Sequence, residues 1–247
     1  MSSNSIPIII PSFEPDNRLF ELVKDLSRNN LTPIIIVNDG SGTEYNQIFD
    51  LCKNYPEVTI LTHQTNQGKG HALKTAFAYI LDNYEVIGCV TADSDGQHTY
   101  EAISDCQKEL LENPNNLVLG VRDFNESGVP EKSRFGNNLT KKVFKFLYNV
   151  ELSDTQTGLR GISRSYMHSL LSLKGERFEF ETRMLIDCIE RNITISEVCI
   201  PTIYDSKTNH STHFNPVFDS IKIYKLFFSS FFKFIFSKLR VITCSKE

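Results

Sequence analysis

Short apolar runs alternate with segments of helical period through the first half of the chain. Ile6–Ile10, Pro33–Val37, Val58–Thr62, Val86–Thr91 and Leu117–Val121 are strand-length runs suited to parallel strands buried on both faces. Between them Asp16–Arg28, Glu44–Asn54, Lys69–Leu81 and Tyr100–Leu111 carry apolar residues at helical spacing. Asp16 and Thr43 are placed to cap helices, while Gly68 and Gly96 mark loop exits. Strand and helix repeated in this way predict a mostly parallel, doubly wound α/β sheet with helices on both faces. After Gly120 the pattern changes. Lys132–Tyr148 and Glu179–Glu190 read as helices, Ile193–Ile203 as a strand pair interrupted by Pro201, and Asp205–Asn215 as a polar loop over the site. No repeat or linker divides the chain, so residues 1–215 are expected to form one domain.

Composition narrows the function. With 247 residues, 40% of them hydrophobic and 23% charged, the chain is long enough for one large core. A formal charge of −4 argues against a nucleic-acid partner, which needs a basic face. Six cysteines (Cys52, Cys89, Cys106, Cys188, Cys199, Cys244) show no metal-ligand spacing and read as reduced core residues of a cytosolic protein. Neither a signal peptide nor a membrane-spanning run is expected.

The C-terminal stretch is different. From Ser220 to Lys246 there are basic residues and no acidic ones, and Lys222, Lys225 and Lys233 share one narrow helical face amid phenylalanines. Residues 216–247 are therefore expected to form an amphipathic helix lying in a membrane interface. The alternative is a helix packed on the sheet or in a homodimer.

Chemistry gathers where the strands end. The run Val86–Thr91 stops at Asp93-Ser94-Asp95-Gly96, two carboxylates one residue apart at the edge where open α/β sheets bind ligands. Such a pair suits a hard divalent cation and a diphosphate, or else a turn with an Asp cap. Asp39, followed by Gly-Ser-Gly, suits a base N–H or a ribose hydroxyl. Asn66-Gln67-Gly68-Lys69-Gly70 joins flexible backbone, a cation and a helix N-terminus, all suited to a diphosphate.

Seven ordered blocks give these residues a family resemblance. Pro11-Ser12-Phe13-Glu14, Val37-Asn38-Asp39-Gly40-Ser41, Asn66-Gln67-Gly68-Lys69-Gly70 and Asp93-Ser94-Asp95-Gly96-Gln97-His98 resemble family 2 glycosyltransferases of the GT-A (nucleotide-diphospho-sugar transferase) fold. Gly120-Val121-Arg122, Ser133-Arg134-Phe135-Gly136-Asn137 and Asp154-Thr155-Gln156-Thr157-Gly158-Leu159-Arg160 resemble the bacterial polyprenyl-phosphate sugar synthases within it, enzymes similar to dolichyl-phosphate mannose synthase. The resemblance implies that Pro11, Phe13, Glu14 and Asp39 hold the nucleoside of a UDP- or GDP-sugar, with Lys69 and Gly70 at its diphosphate. It also implies that Asp93, Asp95 and Gln97 bind Mg²⁺ or Mn²⁺ and that transfer inverts the sugar.

Arg122 and Arg134 decide the acceptor class. A forked guanidinium suits a lipid phosphate, which is already ionised and needs positioning but no base. A sugar hydroxyl would need a base. Asp154 is the first candidate, with Glu179 and Glu181 behind it. The plainer readings pair the arginines with Asp123 and Glu131, and set Asp154 to orienting Arg160 or capping a turn. His98 reads as capping or packing, and Lys74 and His71 as a solvated face. His213 is a candidate to reach the diphosphate or the metal on loop closure. The expectation is an inverting, metal-dependent transferase acting on a polyprenyl phosphate, peripheral on the cytoplasmic face of a membrane. Its rivals are the same fold acting on a carbohydrate hydroxyl, and a non-catalytic sugar-nucleotide binder.

Overall fold

A computed structural model describes residues 5–124, 129–203 and 227. The C-terminal helix expected over residues 216–247 lies outside them except for Phe227, as do Cys244 and the loop with His210 and His213. Seven strands form one sheet: β1 (Ile8–Ser12), β2 (Ile34–Asn38), β3 (Val58–Thr62), β4 (Gly88–Thr91), β5 (Leu117–Arg122), β6 (Arg160–Ser163) and β7 (Ile195–Ile200). Their order is β3-β2-β1-β4-β6-β5-β7, with β6 antiparallel to both neighbours and every other pair parallel.

Helices α1 (Asn17–Arg28), α2 (Asn46–Lys53), α3 (Lys69–Asn83), α4 (Tyr100–Glu112), α5 (Glu131–Tyr148), α6 (Arg164–Leu170) and α7 (Glu179–Glu190) complete the fold. The central strands are apolar at successive positions because each face of the sheet has its own core. Ile9, Ile35 and Val37 pack with Phe77, Phe144 and Phe180 on one side, and Ile8, Ile10, Ile34 and Ile36 pack with Leu19, Val23 and Cys106 on the other. Asp16 caps α1, its side chain accepting from Arg18 N–H. Phe227, buried to 5% exposure, sets its ring edge-on to Phe144 at 5.5 Å.

Four details depart from the sequence reading. Pro11, expected to close the first strand, lies inside it, opposite Val37. It is tolerated because β1 pairs with β4 only at Ile8 and Ile9, so no ladder needs the missing N–H. Ile193–Ile203 yields one strand, and Pro201 ends the ladder one residue after Ile200. β6 and α6 were not foreseen, since Arg-Gly-Ile-Ser is too short and too polar to show a period. Of the cysteines, Cys52, Cys89, Cys106 and Cys188 are buried free thiols, while Cys199 is exposed rather than in the core.

The strand order reverses between β1 and β4, and a ligand crevice opens at such a switch point. β1, β2, β4 and β5 all end at that edge, and α3 begins there.

Candidate active site

Asp93 leaves β4 at the switch point and meets a buried cation. Its Oδ1 lies 2.6 Å from Lys69 Nζ, and the same ammonium is 2.9 Å from Glu181 Oε1 on α7. Burial alone would lower the Lys69 pKa, but Asp93 and Glu181 outweigh it and raise the group further into its charged range. For Asp93, burial opposes ionisation and is overcome by Lys69 and His98, which hold the carboxyl well below the usual range. The Asp93 carboxylate also rests on the backbone at Gly158, where a Cβ would stand 2.2 Å from Oδ2. His98 Nε2 is 3.5 Å from the same Oδ2, and neither of its buried ring nitrogens makes a hydrogen bond.

Asp95 has a different environment. It accepts a hydrogen bond from Gln97 N–H at 3.1 Å, and its pKa is raised, first by burial and then by the charge of Asp93. A carboxylate in that position is relieved by an added cation. Asp93, Asp95 and the Gln97 carboxamide offer hard oxygen ligands, and Mg²⁺ commonly takes one or two carboxylates and completes its shell with water and phosphate. Among the described residues no three acidic, histidine or cysteine side chains cluster as metal ligands. The residues fit Mg²⁺ or Mn²⁺.

Gln97 links this end of the site to a second one. Its Oε1 accepts from Arg122 Nη1 at 3.4 Å, and Arg122 forks onto Asp154 with Nε 2.7 Å from Oδ2 and Nη2 3.3 Å from Oδ1. Asp154 is fully buried and takes a further hydrogen bond from Gln156 N–H at 2.9 Å. The guanidinium lies 5.1 Å from the Phe124 ring centroid, and Arg134, in the first turn of α5, donates from Nε to Phe124 O at 2.9 Å. The two arginines are thus brought together around residues 122–124. Asp154 partners Arg122, not Arg160, which is buried against the carbonyls of Thr157 and Glu181.

Where β1 and β2 end, Pro11 and Phe13 are half-buried, and exposed Glu14 (φ 50°) donates its N–H to Ser41 Oγ. Asp39 is buried and accepts from His63 Nδ1, Gln67 N–H and Gly68 N–H at 2.7, 2.9 and 2.7 Å. A carboxylate has about four lone-pair positions, so about one is left for a ligand. Gly70 packs on Phe180, where a Cβ would come within 2.6 Å of the ring-bearing carbon.

Sequence reasoning passed over His63, although it stands one residue beyond β3, at the edge where the other site residues leave their strands. His71 and Lys74 are not a merely solvated face: both pair with Glu176, at 2.9 and 2.8 Å.

The family model described as "Glycosyl transferase family 2" matches residues 8–171. A UDP-N-acetylglucosamine–dolichyl-phosphate N-acetylglucosaminyltransferase from Methanococcus voltae is 28% identical over 221 residues, covering 83% of this chain and 88% of the relative. Glycosyltransferase AglJ from Haloferax volcanii is 25% identical over 222 residues, covering 87% and 68%. Glucosyl-3-phosphoglycerate synthase from Mycobacterium tuberculosis, solved with Mn²⁺, UDP and phosphoglyceric acid, superposes with a TM-score of 0.68 at 16% identity over 93% of this chain and 78% of that one. That likeness extends the GT-A fold to this chain.

Proposed function

The chain belongs to glycosyl transferase family 2 and is a glycosyltransferase, and we propose that it moves a sugar from a nucleoside diphosphate donor to a polyprenyl phosphate. In this reading transfer requires Mg²⁺ or Mn²⁺, inverts the anomeric carbon and takes place at the cytoplasmic face of a membrane. The relative from Methanococcus voltae is named for a UDP-sugar donor and a dolichyl phosphate acceptor, which agrees with this reading.

The observation that carries the acceptor class is the state of Asp154. A general base must reach its proton, yet this carboxylate is fully buried and occupied by Arg122 and Gln156. It serves to hold a guanidinium. An acceptor phosphate is ionised at neutral pH and asks only for such a positively charged anchor, supplied by Arg122 and Arg134.

Asp93, Asp95 and Gln97 would hold the cation, which would supply positive charge to neutralise the leaving diphosphate. Lys69 keeps Asp93 ionised and fixed in place. Pro11, Phe13, Glu14 and Asp39 receive the nucleoside, and the N-terminus of α3 at Lys69 and Gly70 faces the diphosphate with its positive dipole end. Arg122, in contact with Gln97, sets the acceptor phosphate next to the donor site.

A membrane surface as partner agrees with α5. Phe135 and Phe146 are 69% and 71% exposed, and their eleven-residue separation, about three helical turns, places them on one face with Lys142 between. Among the described residues no helix is long and apolar enough to cross a membrane. Within this reading residues 1–215 are the catalytic domain and residues 216–247 a second membrane contact, apart from Phe227, which packs on Phe144 in the core.

The test uses the full chain, a labelled UDP- or GDP-sugar and a short polyprenyl phosphate in vesicles containing anionic lipid. Lipid-linked product should form, vanish with EDTA and return with Mg²⁺ or Mn²⁺. Transfer only to a free glycan, or turnover indifferent to EDTA, would refute the reading. In the same vesicles a Phe135→Ser/Phe146→Ser chain should float less, and equal flotation would remove α5 from the membrane contact.

Gly158→Ala gives a further expectation. The added methyl forces the Asp93 carboxylate aside, and a displacement of about 1 Å lowers turnover by about a hundredfold. Steady-state rates together with circular dichroism check it: native turnover in a folded variant would rule out the constraint.

A further inference from the structure

His63 ties the nucleoside end of the site to the diphosphate end. Its side chain is only 8% exposed and both ring nitrogens are engaged, Nδ1 at 2.7 Å from Asp39 Oδ1 and Nε2 at 2.9 Å from Thr75 Oγ1 in the second turn of α3. An ionised carboxylate only accepts, so Nδ1 carries the proton, and in the neutral ring Nε2 accepts from the Thr75 hydroxyl. Asp39 in turn accepts from the backbone N–H groups of Gln67 and Gly68. Gly68, at φ +102°, turns the chain into α3, and the next residue is Lys69, whose ammonium bridges Asp93 and Glu181. The path closes on itself, from the body of α3 through Thr75, His63, Asp39 and the loop back to the first turn of α3. The loop is pressed on its other side as well, since a Cβ on Gly40 would stand 2.3 Å from the Thr65 carbonyl carbon.

We propose that His63 is a positioning residue for donor binding. By filling Oδ1 of Asp39 together with the Gln67 N–H it fixes which lone pair remains for the nucleoside, and by anchoring Asp39 to α3 it holds the loop that delivers Lys69 to the acidic pair. The inference rests on the reading that a nucleoside diphosphate sugar occupies this edge of the sheet. It follows from two hydrogen bonds on one buried ring.

Three variants of the full chain test it: His63→Ala, His63→Asn, whose amide N–H replaces the Nδ1 donor, and Thr75→Val, which keeps the volume and removes the hydroxyl. Binding of UDP- and GDP-sugars with Mn²⁺ is measured by calorimetry, and KM and kcat by transfer assay. His63→Ala should raise the donor Kd and KM about tenfold with the acceptor KM unchanged, the scale of losing a hydrogen bond to a buried charged group. Thr75→Val should raise the donor KM by about threefold, and His63→Asn should restore most of what His63→Ala loses.

A purely structural role predicts something else, a lower folded fraction and a lower apparent kcat at unchanged donor KM, and that result would overturn the inference. So would His63→Asn binding donor as poorly as His63→Ala, or Thr75→Val binding it as well as the parent. A parent chain that binds no nucleotide sugar sinks the functional reading and this inference together. Parent binding with variants indistinguishable from it sinks only the role of His63.

Discussion

Asp95→Asn should lower kcat by two to three orders of magnitude and leave the melting temperature almost unchanged, while Asp93→Asn should lower both. In the proposed function either substitution would remove an anionic oxygen ligand where leaving-group charge is neutralised, and losing one preorganised electrostatic contact of this kind lowers rates by about 10²–10³-fold. Stability separates the two. Asp95 accepts a backbone hydrogen bond that an amide oxygen can also accept, and its charge is already opposed by burial and by Asp93. Asp93 neutralises a Lys69 ammonium that is 14% exposed, and its loss leaves that cation with Glu181 alone. Because the Asp93 side chain is itself 29% exposed, solvent screening limits the penalty to about 1–2 kcal/mol, a few degrees for a chain of this size. Thermal melts alongside steady-state kinetics read both quantities. Parental turnover in Asp95→Asn would remove the cation from the mechanism.

The same contrast explains what could be read in advance. The parallel strands were legible because continuous apolar runs are the direct consequence of burial on two faces, and Ile8 to Ile10 fill both cores within three residues. β6 was not, because its four residues take their strand character from β4 and β5 rather than from any period of their own. In the candidate site, sequence indicated which residues stand at strand ends, since that follows from where each apolar run stops. It was silent on which residues pair. Arg122 with Asp154 spans 32 positions, His63 with Asp39 spans 24, and His71 with Glu176 spans 105. Such partners have no periodic signature. Asp154 shows the consequence: in sequence a carboxylate following two arginines suggests a base, and only the structure shows it buried and hydrogen-bonded to Arg122.

Arg122→Lys and Asp154→Asn should therefore fail in the same way, by losing the acceptor and not the donor. The guanidinium uses Nε and Nη2 on Asp154 and Nη1 on Gln97, a fork that one ammonium cannot reproduce even with its charge retained. Asp154→Asn leaves the arginine charged and partly buried but takes away the buried carboxylate that its Nε and Nη2 fork onto, so its orientation is lost although its charge remains. Each variant should lower kcat/KM for the polyprenyl phosphate by about a hundredfold, with the donor KM within about twofold of the parent. Because both act through one ion pair, the double variant should be little worse than either single one, a non-additivity of about 1–3 kcal/mol in a double-mutant cycle. A catalytic base predicts another pattern: Asp154→Asn alone would collapse kcat at unchanged acceptor KM, and the acid limb of the pH–rate profile would disappear with it. That pattern would return the acceptor to a sugar hydroxyl. The expected one makes Asp154 the residue that aims Arg122, and leaves the ionised acceptor phosphate to attack without a base.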